Sequence, residues 1–155
     1  MRKVYISILT VLAFLAVSPG SMAIDHPSIT RPVKSVSDFV LIEDGKPVPL
    51  IVSSTDDTAV LRAAANLQND FFMVCGTRPE IRESAETDRA VIAGSLSSDL
   101  IKSMIADNLI DVRDLEGYRE KYVIRFVKNP VEGVGEALVI VGSDRRGAVY
   151  GIYEL

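Results

Sequence analysis

The stretch that decides the fold is Ala137-Leu138-Val139-Ile140-Val141-Gly142-Ser143-Asp144-Arg145-Arg146-Gly147-Ala148-Val149-Tyr150-Gly151-Ile152. An apolar run rich in β-branched residues reads as a buried strand. Gly142 turns the chain out of it, and Ser143 or Asp144 offers an oxygen to cap the first amides of a helix. The turn places backbone amides and the positive end of a helix dipole where an anion can sit. It is not a nucleotide-triphosphate loop, because Ala148 and Val149 follow Gly147 where Lys and Ser or Thr are needed. Nor is it the dinucleotide fingerprint, whose second glycine is missing. Two roles stay open. Either the glycines let helix and strand approach, or Arg145 and Arg146 meet a carboxylate or phosphate, which the guanidinium fork matches.

Upstream, residues 122–127 read as a second strand, with Asn129-Pro130 and Gly133-Val134-Gly135 marking the turn between the two. Ser97-Ser98-Asp99 caps a helix with Leu100, Ile101, Met104, Ile105 and Leu109 on its apolar face, and residues 89–93 form a short strand before it. Thr55-Asp56-Asp57 opens a longer helix in which Val60, Leu61, Ala64, Leu67, Phe71 and Val74 fall at helical spacing until Gly76 stops it. Residues 39–42 and 48–52 flank Glu43-Asp44-Gly45-Lys46, a hairpin signal. Pro47 and Pro49 place the second of these strands at a sheet edge. The order is two strands, helix, strand, helix, two strands, helix. That predicts an α+β domain over residues 38–155, a mixed β-sheet with helices on one face. The last helix runs to Leu155 without a stop signal, so the sequence reads as a domain cut inside that helix.

Residues 1–23 carry the three parts of a secretory signal peptide. Arg2 and Lys3 are basic, residues 4–17 are dominated by apolar side chains, and Ser21 and Ala23 set small residues at the −3 and −1 positions for cleavage after Ala23. The apolar part is shorter than the roughly 20 residues of a membrane span. A periplasmic or secreted location follows, with no membrane attachment after cleavage. Residues 24–37 have two prolines and no periodicity, and read as an extended arm or linker.

At 155 residues the chain holds one domain. Its 17 Lys and Arg against 21 Asp and Glu give a net charge of −4, which argues against nucleic acid as a partner. One His, one Cys and no Trp supply neither a zinc site nor a disulfide framework. No metal site, cofactor or catalytic residue is assigned. His26 lies at the loose start of the mature chain, so Ser53-Ser54 and Ser97-Ser98 have no base to activate them. Cys75, in the apolar run 71–75, reads as a small core hydrophobe. Paired carboxylates break glycosidic bonds. Here Asp56/Asp57, Glu80/Glu83/Glu86 and Asp111/Asp114/Glu116 sit in caps and polar loops, which reads as ordinary solvation. Tyr118, Tyr122, Tyr150 and Tyr153 are the aromatic hydroxyls of the second half, and Tyr150 and Tyr153, three apart on one helix face, read as packing residues.

The segment from Leu115 through Tyr118, Tyr122, Asn129 and Pro130, and above all Gly142, Ser143, Asp144, Arg145, Arg146, Gly147, Tyr150, Gly151 and Tyr153, resembles a known family. It is similar to the close of the N-terminal domain of glycoside hydrolase family 115, the xylan α-1,2-glucuronidases. The resemblance is strongest over residues 115–155 and extends to Phe39 through the order of elements. It implies an α+β domain like those preceding the barrels of family 67 α-glucuronidases and family 20 hexosaminidases. It also implies an exported hydrolase that removes (4-O-methyl-)glucuronic acid from glucuronoxylan by an inverting route. The acid and base of such enzymes come from a C-terminal catalytic barrel, which this chain lacks, so no catalytic residue is carried over. Asp144, Arg145 and Arg146 are expected to face that barrel and shape the uronate end of its pocket. The rival reading is a stand-alone periplasmic sugar-binding or interaction module without catalytic activity. The two differ in whether Val149, Ile152, Tyr153 and Leu155 form an apolar face that has lost its partner.

Overall fold

A computed structural model describes residues 38–155. The signal peptide expected over residues 1–23, the cleavage expected after Ala23 and the arm expected over 24–37 lie outside the described residues. The elements are β1 (Ile42–Glu43), β2 (Lys46–Pro47), β3 (Leu50–Ile51), α1 (Thr58–Cys75), β4 (Ile81–Arg82), β5 (Thr87–Ser95), α2 (Asp99–Ala106), β6 (Tyr122–Lys128), β7 (Val134–Gly142) and α3 (Arg145–Tyr153).

Five strands form one mixed sheet in the order β4-β3-β5-β7-β6. β3 runs parallel to both β4 and β5, β5 runs parallel to β7, and β6 is antiparallel to β7. In the centre Val91 lies opposite Leu138 and Ile92 opposite Val139. The α+β class and the mixed sheet are those expected from the sequence.

The helices do not all lie on one face. Leu50, Val52, Val91, Ala93 and Ile140 point to one side, where α1 and α3 cover them with Val60, Leu67, Phe71, Ala148 and Ile152. Their neighbours Ile51, Ala90, Ile92, Val139 and Val141 point to the other side, under Ile101 and Met104 of α2 and Ile110, Val112 and Leu115 beyond it. The physical reason is in the strands: Ala90, Val91, Ile92 and Ala93 are all buried, an unbroken apolar run that needs cover on both faces. Burying side chains such as Val60, Leu67 or Phe71 contributes about 1.5–3 kcal/mol each.

The hairpin expected over residues 39–52 divides. Asp44 and Gly45, both at positive φ, make the tight turn of a small separate β1–β2 ribbon. The chain then enters the main sheet as β3, an interior strand and not an edge. Both prolines precede it, so the amides of Leu50 and Val52 are free to donate to Glu80 and Arg82, while the Pro49 carbonyl accepts from Val91. β4 has no counterpart in the sequence reading. Gly133 turns as expected, but β7 already begins at Val134.

α1 is capped at its start by Asp57, whose carboxylate accepts from the Ala59 amide, and closed by Gly76 in the left-handed conformation. Its phase buries Phe71 and turns Phe72, Met73 and Val74 outward. Cys75 is therefore not in the core: it is half-buried at the last helical position, with its Sγ donating to the Thr77 carbonyl at 3.4 Å. α3 ends at Tyr153, two residues before Leu155.

Candidate functional site

Because β3, β5 and β7 are parallel, the segments that leave them gather at one edge of the sheet: residues 53–57, 95–98 and 143–146. The carboxyl edge of such a sheet is where ligands commonly sit in open α/β folds. Asp144, Arg145 and Arg146 lie there, at the start of α3.

Asp144 is the N-cap. Its Oδ1 accepts from the Gly147 amide at 2.8 Å, and its Oδ2 accepts from the Glu120 amide at 3.1 Å. The Gly147 amide, then those of Glu120 and Arg146, hold its carboxyl below the ordinary aspartate range. Arg146 donates to the Tyr150 hydroxyl at 3.0 Å and pairs with Glu120 Oε1 at 2.7 Å. The Tyr150 hydroxyl first, and the Glu120 charge second, raise its pKa further. Arg145 makes a looser pair with Asp57 Oδ2 at 3.6 Å, its side chain 65% exposed. All three residues thus share one corner, and each has a partner within the chain.

The glycines of this segment are there for close approach. A Cβ at Gly142 would overlap the backbone nitrogen of Ala148, and one at Gly147 would overlap the Lys121 carbonyl. At Gly151 it would meet Ile140 Cγ2 at 2.6 Å. α3 is therefore seated directly on β6 and β7.

Asp56 is the polar residue that the sequence misplaces. It reads as one of two capping acids, yet Asp57 caps α1 and Asp56 is buried, 7% exposed. Its Oδ2 accepts from the Ser95 amide and its Oδ1 from Ser95 Oγ, each at 2.9 Å, and Oδ1 also accepts from the Asp57 amide at 2.7 Å. Gly94 leaves room for this acid, since a Cβ there would lie 3.1 Å from Asp56 Oδ2. The one signal available in the sequence was the doubled acid, of which a single helix cap uses only one.

Glu80, Glu83, Asp111 and Asp114 each have a partner within the chain. Glu83 accepts from the Ser54 amide, Asp111 chelates Arg113, and Asp114 pairs with Arg125. Hydrogen bonds from the Arg113 side chain, then from its amide, lower the Asp111 pKa to about 2. Tyr150 and Tyr153 do not pack inward as expected: they are 41% and 56% exposed, and Tyr153 Oη accepts from Asn66 Nδ2 at 2.6 Å. Ile152, by contrast, is buried, so the expected apolar face of Val149, Ile152, Tyr153 and Leu155 is not continuous. Two shallow hollows of about 320 and 350 Å³ lie at the opposite edge of the sheet and share Lys46, Pro47, Pro49 and Thr87. Among the described residues, no helix is long and apolar enough to cross a membrane.

No family model and no curated protein matches the sequence. Among solved structures, the chain is similar to a family GH115 4-O-methyl-alpha-glucuronidase described as specific for decorated arabinogalactans. The TM-score is 0.58 at 23% identity, over 73% of this chain and 13% of the glucuronidase chain. The likeness is one of fold, and this chain corresponds in length to a small part of that enzyme.

Proposed function

We propose that this chain is the N-terminal accessory module of an exported glycoside hydrolase resembling xylan α-1,2-glucuronidase. In this reading the enzyme removes (4-O-methyl-)glucuronic acid from glucuronoxylan. The acid and base belong to a barrel of about 250 residues outside this chain, and the module alone is inactive. The observation that carries the reading is the fold likeness to a glucuronidase, which takes in most of this chain and a small part of that enzyme. The motif from Gly142 to Tyr153 supports it independently, because its glycines, charges and tyrosines fall together in one segment. In this reading residues 1–23 are a signal peptide cleaved after Ala23, and the module works in the periplasm or outside the cell.

Within this reading, Arg145 and Arg146 face the barrel and shape the uronate end of its pocket, and Asp144 holds the turn that presents them. The test is release of 4-O-methylglucuronic acid from glucuronoxylan by the full-length product, beside this chain alone. Activity in the first and none in the second is expected. A full-length product that releases no uronic acid overturns the reading. Arg145→Ala and Arg146→Ala in the active protein are expected to weaken uronate affinity, each by roughly tenfold for a lost charge-assisted hydrogen bond. Unchanged activity and affinity would remove these residues from the pocket.

A further inference from the structure

Residues 116–121 are all exposed, and Tyr118 is 61% exposed, so little apolar burial holds this segment down. Polar bonds to the start of α3 hold it instead. The Glu120 amide donates to Asp144 Oδ2 at 3.1 Å, the Lys121 amide donates to Ser143 Oγ at 3.1 Å, and the Ser143 amide donates to the Lys121 carbonyl at 2.8 Å. Arg146 closes the set on the Glu120 carboxylate. Two residues in the segment have left-handed backbone, Gly117 at φ +75 and Glu120 at φ +59. A Cβ at Gly117 would meet nothing within 4 Å, so glycine is needed there for its backbone freedom and not for space. Glu120 has no such excuse, and its conformation is maintained by the bonds around it.

Segments with exposed backbone hydrogen bonds and few buried apolar contacts belong to the low-stability end of a fold and open locally. We infer that residues 117–121 form a strap that opens and closes over the first turn of α3, with Asp144 as its clasp and Gly117 as its hinge. Closed, the strap seats the Lys121 carbonyl against Gly147 and neutralises Arg146 with Glu120. Open, it lets Glu120 leave the left-handed region and frees the Arg146 guanidinium to meet another anion. Asp144 is a positioning residue in this device: one carboxylate ties the strap and the helix start together.

The test is amide exchange of the full chain, read at residues 116–121 and at β5, together with the rate at which phenylglyoxal modifies Arg146. Asp144→Ala is expected to speed exchange over 116–121 by about tenfold or more, the loss typical of a capping bond, and to speed Arg146 modification, while β5 stays protected. Unchanged exchange over 116–121 with β5 protected overturns the strap. If Asp144→Ala loosens β5 in step, Ser143→Ala decides the matter, since it removes only the acceptor of the Lys121 amide. Faster exchange at Lys121 with β5 intact then supports the strap, and no change overturns it.

Discussion

Asp56 and Ser95, 39 positions apart, are joined twice: the Ser95 amide and hydroxyl each donate to one oxygen of the same buried carboxylate. The pair ties the turn after β3 to the end of β5 at the carboxyl edge of the sheet. Removing the acid leaves a buried amide unsatisfied, which costs more than the bond itself contributes. Asp56→Ala is expected to destabilise the fold by about 3 kcal/mol, seen as a lower urea midpoint at unchanged slope. A loss under about 1 kcal/mol would mean that water replaces the carboxylate.

Gly142 and Gly117 make opposite uses of glycine. Alanine at Gly142 collides with the Ala148 backbone, which has no room to yield, so Gly142→Ala is expected to cost more than about 3 kcal/mol or to prevent folding. Alanine at Gly117 meets open space and bears only the left-handed conformation, so Gly117→Ala is expected to cost about 1 kcal/mol. Thermal unfolding of the two variants in parallel reads the difference.

Two adjacent phenylalanines separate the faces of α1. Phe71 is 6% exposed and Phe72 39%, with the Arg78 guanidinium 4.5 Å from the Phe72 ring centroid. Phe71→Ala is expected to cost about 3–5 kcal/mol. Phe72→Ala should cost about 1 kcal/mol or less, the worth of an exposed cation–π contact. Equal losses would contradict the helix phase.

Asp144 contributes to acid sensitivity. Its folded-state pKa is depressed, chiefly by the Gly147 amide, so the unfolded chain binds more protons in the window below the ordinary value of 3.8. The stability contributed by this carboxylate is present above that value and is lost as pH falls through the folded pKa. Asp144→Asn is expected to flatten the pH dependence of stability below about pH 4, measured by urea midpoints across the acid limb. An acid limb as steep as that of the parent chain would assign the linkage to other carboxylates.

The helices were legible from their ends: Asp57 caps α1 and Gly76 breaks it, while α2 starts where Ser97-Ser98-Asp99 predicts, although Ser98 makes no side-chain capping bond and only Asp99 in the first turn suits the helix start. β4 was not legible. It is two exposed residues, Ile81 and Arg82, whose strand character comes from pairing with β3, where the amides of Leu50 and Val52 donate to Glu80 and Arg82. The two-sided cover of the sheet was written in the unbroken run Ala90 to Ala93, which alternation with polar residues would have ruled out. At the candidate site, the position of Asp144, Arg145 and Arg146 after a buried strand was readable. Tyr150, four residues after Arg146 on the same helix, was within reach by spacing alone, whereas the partners Glu120 and Asp57 were not, because nothing local links a loop before β6, or the cap of α1, to the start of α3.

The proposed place of this domain in a larger hydrolase is tested most directly by the mass of the native product in its source cell. A single exported polypeptide on the order of several hundred residues is expected, with this sequence at its N-terminus and a barrel following it. A stable exported protein that ends at Leu155 would contradict it.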